Sequence, residues 1–317
     1  MISYLKRKEI NDQLWNTTVQ KAKNGLPYFY TWHLDNCCKH WSALVWEEYK
    51  FIMPLPYNNK LLITKQLFQP ILTQQLGIIG NGLTANIAEQ FLKNIPPYFK
   101  YINIQLHHKT PTIDTNDKGT TLWPNHIHTK DNYVIPLDKE EEILIKGLNR
   151  EIRRNLRKLA TKHNIKPINS AQIIVDFYFK QFGKKLNLSL TTRQTIFNIM
   201  DAHLKHNTIE IYGCYDNEEQ LCCATAFLHS HDRLISIFGG PSEAGKKIYA
   251  MHAIYAHVIK KYANTPKIVD FMGSEIKGVA FWMRSMGGIL QPYFKYEVDD
   301  LPRLISFIKH RKWKVSN

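Results

Sequence analysis

Residues 268–288 read IVDFMGSEIKGVAFWMRSMGG and contain three structural signals in close succession. The β-branched and apolar run IVDF predicts a strand. The Gly273-Ser274 pair predicts a turn, and GVAFWMRSMGG has the apolar spacing and the glycine stop of a helix. A strand that passes through a short turn into a helix is typical of an α/β protein. This stretch therefore predicts an α/β fold and marks the turn as a candidate site.

The same alternation continues through the second half of the chain. From residue 171 onward the periodicity predicts two helices, three short strands, a helix, a strand, a helix and a last strand. Before them, residues 138–166 predict one long helix with Asp138 as its N-cap. Eight Lys or Arg residues between 146 and 166 stand against one acid, Glu151. We expect a domain boundary near the end of this helix, with domains at residues 1–155 and 156–317.

The composition indicates a globular protein with an anionic partner. The 317 residues suffice for two domains, and the net charge is +15. Such a charge favours nucleic acid, a phosphorylated small molecule or an anionic membrane surface as partner, and a generally basic proteome is the alternative explanation. No apolar run reaches the roughly 18 residues of a membrane span. The N-terminus lacks a secretory signal, so we expect a cytoplasmic protein.

One loop and one helix are candidate anion sites. The third predicted strand leads through Gly239-Gly240-Pro241-Ser242 to Gly245-Lys246-Lys247 at a helix start, where free N–H groups and lysines attract anions. An ordinary N-cap with two surface lysines explains the same residues. The patterns of a P-loop and of a dinucleotide-binding turn are both absent. The basic helix at 146–166 either binds phosphates or presents a solvated face.

Metal chemistry has little support in the sequence. Histidines recur in pairs, but no carboxylate or cysteine cluster accompanies them at ligand spacing. The five cysteines show neither zinc-site nor disulfide-framework spacing. We expect no metal site and buried, reduced thiols.

The order of elements and the stretch at 268–288 resemble the GNAT (acyl-CoA N-acyltransferase) superfamily, and within it the Fem-type peptidyltransferases and related acetyltransferase-like bacterial proteins. In that branch a strand ending D-F-x-G-S precedes G-V-x-x-F and a glycine pair. The matching positions are Asp270, Phe271, Gly273, Ser274, Gly278, Val279, Phe281, Gly287 and Gly288. The resemblance implies an α/β fold of two tandem GNAT-like domains, each with a mixed central sheet flanked by helices.

The resemblance also implies a donor site. In the family two strands splay apart, strand N–H groups hold the acyl carbonyl, and the following loop holds a pyrophosphate where one is present. The implied donor-binding residues are Gly239, Gly240, Ser242, Gly245, Lys246, Lys247, Ser274 and Phe281. Acyl-CoA or aminoacyl-tRNA is the implied donor substrate, and no tightly bound cofactor is expected. Trp282 stands where tRNA-dependent members often carry lysine, and Met286 stands where Phe is usual.

The implied reaction moves an acyl or aminoacyl group to an amine. Attack on the carbonyl forms an oxyanion that backbone N–H groups can stabilise, and a base takes the amine proton. The candidate bases are Asp270, Glu275 and Tyr293, near the predicted strand ends. We expect Arg150, Arg153 and Arg154 to hold phosphates of the acceptor, in a groove between the domains.

Two other functions agree with the same residues. One is a peptidoglycan interpeptide-bridge ligase that uses aminoacyl-tRNA, for which cell-wall precursors are peripheral partners. The other is a non-catalytic protein that binds RNA or another polyanion on the same fold through its basic surface. Sequence alone leaves these functions open.

Overall fold

The computed structural model describes residues 1–61, 64–111, 126–273 and 275–302. The chain divides into two compact units, Met1–Lys130 with Tyr293–Asn317 and Asp131–Pro292. The expected boundary at 155/156 falls inside a helix of the second unit, whereas the units divide at 130/131 and again at 292/293.

The described α-helices and β-strands alternate along the chain. The helices are α1 Asp12–Lys21, α2 Thr31–Cys37, α3 Ala85–Lys93, α4 Glu141–Gly147, α5 Arg150–Lys158, α6 Ala171–Tyr178, α7 Leu190–Lys205, α8 Glu243–Lys247, α9 Ala250–Tyr262 and α10 Lys277–Ser285. The strands are β1 Ile2–Lys6, β2 Trp41–Trp46, β3 Phe51–Leu61, β4 Thr64–Phe68, β5 Phe99–Leu106, β6 Ile127–Lys130, β7 Tyr133–Pro136, β8 Asn164–Pro167, β9 Ile209–Tyr215, β10 Leu221–Ser230, β11 Arg233–Pro241, β12 Ile268–Asp270, β13 Ile289–Leu290 and β14 Tyr293–Asp299.

The first unit is built on a seven-stranded mixed sheet in the order β1-β2-β3-β4-β5-β14-β6. Only β4 and β5 run parallel, and every other neighbouring pair is antiparallel. α3 packs its apolar face on this sheet, where Phe91 and Leu92 join a core that includes Met53, Leu55 and Ile104. The C-terminal strand β14 completes the sheet, which explains why residues after 292 belong to this unit.

The second unit is built on another seven-stranded mixed sheet, in the order β13-β7-β12-β11-β10-β9-β8. Its one parallel pair is β11 with β12. α9 packs on β8 to β11, and its residues Ile254, Tyr255 and Val258 are buried in the core. β10 is buried along almost its whole length because helices cover this part of the sheet.

The two sheets share one strand pattern. Each begins with four antiparallel strands. A fifth strand runs parallel to the fourth, and two more strands follow, each antiparallel to its neighbour. The α/β class with mixed central sheets and flanking helices, predicted from the sequence, is confirmed.

The long helix predicted at 138–166 is wrong in its continuity and in its end, because α5 stops at Lys158 and Asn164–Pro167 form β8. α4 and α5 are separate, and Asp138 precedes the first of them without capping it. Leu148 has an extended backbone and is buried, and the Asn149 side chain accepts a hydrogen bond from the Glu151 N–H at 2.8 Å. The sequence therefore starts a second helix at a good N-cap, where the apolar Leu148 turns into the core.

Within the described residues, every helix is too short or too polar to cross a bilayer. The five cysteines are buried and free of disulfide bonds.

Candidate functional site

The parallel strands β11 and β12 part after a short paired segment. They pair over three residues, ending where Ile235 meets Asp270. β11 then continues to Pro241 with β10 on one edge, while Phe271 turns toward β7 and donates its N–H to the Tyr133 carbonyl at 3.1 Å. Because peptide groups of a strand point to alternate edges, part of the backbone between 236 and 241 faces the open edge. The splay expected from the sequence is present in the second unit.

A β-bulge and a glycine bend β11 at this opening. The register with β10 shifts between Ala226 and Phe227, which leaves Ile237 as an extra residue. Gly239 has φ +143, and a Cβ on it would lie 2.2 Å from the Ala224 carbonyl oxygen. A bulge raises local twist and redirects the strand, and only glycine fits the close approach that follows.

The turn after β11 is held tightly against β10. Ser242 caps α8, since its Oγ accepts a hydrogen bond from the Gly245 N–H at 3.1 Å and donates one to the Cys222 carbonyl at 3.0 Å. A Cβ on Gly245 would lie 2.1 Å from the same carbonyl oxygen. The position therefore requires glycine for close packing.

A cleft of about 490 Å³ lies beside this turn. The end of β11, the α8–α9 region and the first turns of α10 form it, and its lining residues are Pro241, Gly245, Lys246, Tyr249, Met251, His252, Gly278, Val279 and Trp282. Most of these residues present apolar surface. The one lining ammonium, on Lys246, lies 2.6 Å from a Glu243 carboxylate oxygen. The cleft thus suits a ligand with a largely apolar body.

An aromatic cluster supports the cleft from inside the core. The Trp282 ring packs edge-on against Tyr255 and Phe271, with centroids 5.1 Å and 5.4 Å away. The buried Tyr255 hydroxyl donates to Ser236 Oγ at 2.5 Å, and burial raises the pKa of this phenol. Ser236 is the first residue of β11 beyond its pairing with β12, so the open strand is tied to α9.

His252 borders the cleft as a neutral ring. Trp282 Nε1 donates to His252 Nε2 at 3.0 Å. Burial lowers the pKa of His252 to about 4, with a smaller contribution from the charge of His163. The Tyr249 ring lies 5.1 Å away, on a residue with φ +57 at the start of α9. A left-handed backbone on a bulky residue is uncommon, and such strain clusters at functional sites.

Asp270, a predicted base, is fully engaged in the core. Its Oδ2 lies 2.5 Å from Arg233 Nη1, and its Oδ1 accepts from Asn132 Nδ2 and the Met272 N–H, each at 2.9 Å. Arg233 also donates to the Gln291 side chain. Both partners of the ion pair are buried. In this geometry Asp270 fixes the end of β12.

The other predicted residues around the turn differ in placement. Glu275 is exposed just before α10, and Tyr293 is buried as the first residue of β14 in the first unit. Ser274 lies outside the described residues. Phe281 is 63% exposed, and the neighbouring Trp282 lines the cleft instead.

Only part of the predicted donor loop lines the cleft. Gly245 and Lys246 line it, whereas Gly239, Gly240 and Ser242 shape the strand end and the turn. Lys247 is exposed on α8.

The predicted acceptor arginines lie on α5, which packs Ile152 into the core. Arg150 and Arg154 are exposed and Arg153 is half-buried. Within the described part of the chain, none of the three forms an ion pair with an acidic side chain, and the buried Arg153 Nε has no hydrogen-bond acceptor. The helix therefore presents cationic groups that are not neutralised by neighbouring acids.

The corresponding opening in the first unit is filled by its own chain. Beyond the paired part of β4 and β5, Gln69 Oε1 accepts the Gln105 N–H at 2.8 Å. The Leu76 N–H donates to the Gln105 carbonyl at 2.7 Å. Both backbone groups of Gln105 are thus bonded to the segment that follows β4, so the parallel pair of this unit has no comparable open edge there.

Several cleft residues were absent from the sequence-based site. They are Pro241, Tyr249, Met251, His252, Gly278, Val279 and Trp282. Tyr249 and His252 are three residues apart at a helix start, and that spacing was an available signal. The pairing of His252 with Trp282 depends on tertiary packing and had no signal in the sequence. Among the described residues, no group of three His, Cys, Asp or Glu side chains could hold a metal ion.

Comparisons with known proteins show a shared fold without sequence similarity. No protein-family model matches the chain, and no curated protein matches it. The crystal structure of FemX is similar over 94% of this chain and 98% of its own, with a TM-score of 0.67 and 13% identity. A conserved protein of unknown function from Bacteroides thetaiotaomicron covers 93% of this chain over 99% of its own, with a TM-score of 0.59 and 11% identity.

A third similar structure is the C-terminal domain of a putative lysylphosphatidylglycerol synthetase from Agrobacterium fabrum. It covers 90% of each chain with a TM-score of 0.54 and 7% identity. At these identities the likeness shows the fold alone. The chain shares the fold of the FemX structure, as the sequence motif predicted.

Proposed function

We propose that the protein is an acyltransferase whose second unit binds an activated acyl donor, acyl-CoA or aminoacyl-tRNA, in the cleft beside β11. The observation that carries this proposal is the open edge of β11 next to an apolar cleft of about 490 Å³. In the first unit the segment that follows β4, the strand matching β11, is bonded to Gln105 of β5, so this parallel pair has no comparable open edge. We therefore assign donor binding to the second unit.

Different parts of the cleft suit different chemical groups of the donor. The apolar walls at Met251, Val279 and Trp282 accept the uncharged part of the donor. Lys246 can neutralise a phosphate of the donor by exchanging its exposed ion pair with Glu243. Backbone N–H groups on the open edge of β11 would stabilise the oxyanion formed at the acyl carbon. The amine nitrogen bonds to that carbon, and the carbon–sulfur or carbon–oxygen bond to the leaving group breaks.

We favour Glu275 as the base that takes the amine proton. Both carboxylate oxygens of Asp270 are bonded in the core, and Tyr293 is a buried phenol. His252 is unsuited to the task because its Nε2 lone pair already accepts the Trp282 N–H. Glu275 is exposed just before α10, the helix whose first turns line the cleft.

Arg150, Arg153 and Arg154 remain our proposal for holding phosphates of the acceptor. Their charges are not paired with acidic side chains among the described residues, so an anionic group can bind them without displacing a partner. The acceptor itself is an amine of unassigned structure.

The direct test fills the cleft without straining the fold. A Cβ on Gly278 would meet no atom within 4 Å, so Gly278→Trp places an indole in the cleft. Gly147 is equally open but lies at the end of α4, outside the cleft lining, and Gly147→Trp is the matched control. Binding of acetyl-CoA and of an aminoacylated tRNA is measured by calorimetry on both variants and the wild type.

We expect at least one donor to bind the wild type and the Gly147→Trp variant alike, and Gly278→Trp to lose that binding. Equal binding by both variants would place the donor elsewhere. A signal only from charged tRNA favours a Fem-type peptidoglycan-bridge ligase, and a signal only from acetyl-CoA favours a CoA-dependent enzyme.

The cationic face of α5 favours a second candidate, a polyanion-binding protein on the same fold. Arg150, Arg153, Arg154, Arg157 and Lys158 stand against one acid on nine residues. Phosphate contacts of this kind bind RNA with little sequence preference. The discriminating result is binding of uncharged RNA that is insensitive to Gly278→Trp, with neither donor binding the cleft.

A further inference from the structure

An exposed segment, residues 184–190, connects α6 to the first residue of α7 and reads KKLNLSL. Two of its leucines lie largely in solvent, since Leu186 is 50% exposed and Leu190 is 81% exposed. A single exposed leucine is common on a protein surface and needs no explanation. Here two of them stand on one short segment beside two exposed lysines, Lys184 and Lys185. We call this segment the 184–190 loop.

Both ends of the 184–190 loop are anchored to the second unit. One turn of π-helix, Phe179–Gly183, follows α6 and packs the Phe182 ring on β11, where it lies 3.0 Å from the position of a Cβ on Gly240. At the other end, Ser189 Oγ caps α7 by accepting the Thr192 N–H at 3.0 Å. Packing and capping therefore fix the loop on the surface with its leucines exposed.

The surroundings of the 184–190 loop are cationic. Residues 177–200 include neither Asp nor Glu. Three exposed lysines lie in this range, Lys180, Lys184 and Lys185. Among the residues that the structure describes, no acidic side chain lies within ion-pair distance of these lysines. The charge of Lys185 acts on Glu243, but that carboxylate pairs with Lys246 at 2.6 Å. The loop thus combines apolar side chains with positive charge that acids do not neutralise.

This combination fits an anionic lipid surface. The headgroups of such a surface attract lysine, and the acyl region beneath them accepts leucine side chains. RNA offers phosphates to the lysines but no apolar phase to the leucines. An apolar contact or a few lysines alone bind a membrane weakly, whereas the two together reinforce each other.

We propose that the 184–190 loop binds the protein peripherally to an anionic membrane surface, with Leu186 and Leu190 entering the boundary between headgroups and acyl chains. Lys184 and Lys185 contact the lipid phosphates. This inference goes beyond the proposed function and does not depend on it, because the loop residues do not line the donor cleft.

Cosedimentation of the full chain with lipid vesicles is the first test. Vesicles of phosphatidylcholine and phosphatidylglycerol in equal parts are compared with vesicles of phosphatidylcholine alone. We expect binding to the anionic vesicles that weakens as salt is added, and binding to the neutral vesicles that is at least about tenfold weaker. Equal binding to both kinds of vesicle, or binding to neither, overturns the proposal.

Two double variants separate the apolar contribution from the charged one. Leu186→Ser with Leu190→Ser should weaken binding to the anionic vesicles at least about tenfold, because leucine burial is lost. Lys184→Ala with Lys185→Ala should weaken it by about fivefold for each lysine. Circular dichroism checks that both variants are folded. Binding by either folded variant that equals that of the wild type contradicts the role of the loop.

The matched control removes two exposed apolar side chains from another part of the second unit. Ile289 and Leu290 on β13 are 54% and 55% exposed. No Lys or Arg lies within four residues of either position. Ile289→Ser with Leu290→Ser should bind anionic vesicles like the wild type. A loss as large as that of the leucine variant of the loop would remove the loop as the specific site.

A fluorescent probe at one position reports insertion directly. The five native cysteines are buried, so an environment-sensitive dye labels an introduced Leu190→Cys selectively. We expect its emission to shift to the blue when anionic vesicles are added, and the emission of the same dye on Leu290→Cys to stay unchanged. A shift at both positions or at neither contradicts insertion by the loop.

Titration with a single-stranded RNA distinguishes the membrane from a nucleic-acid partner. RNA binding that is lost in Lys184→Ala with Lys185→Ala, in a protein that binds no vesicles, would assign the loop to RNA and overturn the proposal. The donor experiment with Gly278→Trp has a separate ligand and a separate readout. Either proposal can therefore fail while the other holds.

Discussion

Asp270 and Arg233 hold the end of β12 through an ion pair whose side chains are 2% and 3% exposed. Asparagine at 270 keeps the shape of the side chain but removes the carboxylate that pairs with the buried Arg233 charge. Breaking one partner of such a pair costs about 3–5 kcal/mol. We predict that Asp270→Asn lowers the free energy of unfolding by that amount, measured by urea denaturation.

The matched control removes an exposed ion pair. Asp201 and Lys205 lie 2.6 Å apart at i,i+4 on α7, with the lysine 73% exposed. Asp201→Asn is expected to change the free energy of unfolding by less than about 1 kcal/mol. Equal losses in the two variants would contradict the view that burial gives the Asp270 pair its importance.

His252 makes the stability of the fold depend on pH. Its pKa is lowered by burial from 6.5 to about 4, so between these values the unfolded chain binds a proton that the folded chain does not. Stability therefore falls as pH drops from 6.5 toward 4, by about 3 kcal/mol at most. We predict that His252→Asn flattens this part of the profile, measured by urea unfolding at a series of pH values.

The burial of His257 also lowers its pKa and contributes a slope of the same sign. The difference between the wild type and His252→Asn isolates the contribution of His252. Parallel profiles for the two proteins would show that His252 is not the desolvated, neutral ring described above.

The contacts of individual residues were harder to predict from the sequence than the helices and strands. Asp270 was correctly placed at the end of a strand, but its partner Arg233 is 37 residues away in the chain. Its burial could not be anticipated, because an Asp at a strand end is as often solvent-facing. Gly245 and Lys246, which line the cleft, were among the residues named from the sequence of the loop. Trp282 and His252 meet only through tertiary packing.

At the scale of elements, the turn between β11 and α8 depends on one close approach. A Cβ on Gly245 would lie 2.1 Å from the Cys222 carbonyl oxygen, whereas one on Gly278 in α10 would meet nothing within 4 Å. We predict that Gly245→Ala displaces the turn and weakens donor binding at least tenfold. Gly278→Ala is expected to stabilise the fold by about 0.5–1 kcal/mol through helix propensity.

Calorimetric titration with the donor and thermal unfolding of both variants provide the check. Undiminished donor binding by Gly245→Ala would mean that the turn after β11 is not part of the donor site. A loss of stability in Gly278→Ala would contradict the open surroundings of that position.

Helix α5 is the element that would contact a polyanion. We predict that Arg150→Ala, Arg153→Ala and Arg154→Ala together weaken binding of single-stranded RNA. The slope of log affinity against log salt should fall by about 0.7 for each lost phosphate contact. The measurement is fluorescence anisotropy with a labelled oligonucleotide at several salt concentrations.

The matched control removes three exposed lysines of the first unit, Lys8, Lys21 and Lys23. It changes the net charge equally and should leave the salt slope close to that of the wild type. The same decrease in both triple variants would attribute RNA binding to overall charge and would remove α5 as a site.

Most elements were predictable because their apolar period and caps are local. The order of helices and strands after residue 171 agrees with the prediction, but the helix that follows Ser242 is divided into α8 and α9, and the last strand into β13 and β14. The continuous helix at 138–166 failed because the burial of Leu148 competes with helical periodicity. Only the packed structure shows that this residue interrupts the helix at the Asn149 cap.

At the scale of the whole molecule, the two sheets repeat one strand pattern that has no counterpart in the amino-acid sequence. Each sheet takes a strand beside its parallel pair from a distant segment: β14 in the first unit and β7 in the second. A boundary inferred from helix and strand order cannot reveal such long-range pairing. The motif at 268–288 nevertheless identified the fold correctly.

Because the two sheets share one strand pattern, the first unit serves as an internal control for the proposed donor site in the second. The open edge of β11 in the second unit is proposed to bind the acyl donor, while in the first unit the segment after β4, the strand that matches β11, is bonded to Gln105 of β5. Donor binding should therefore affect only one of two similar sheets.

Hydrogen exchange measured by mass spectrometry on the full chain, with and without acetyl-CoA or aminoacylated tRNA, tests this claim most directly. The account predicts slower exchange at residues 236–252 and 277–283 with at least one donor, and unchanged exchange at 65–76 and 99–106. Protection confined to the first unit, or no protection by either donor at 236–252, would contradict it.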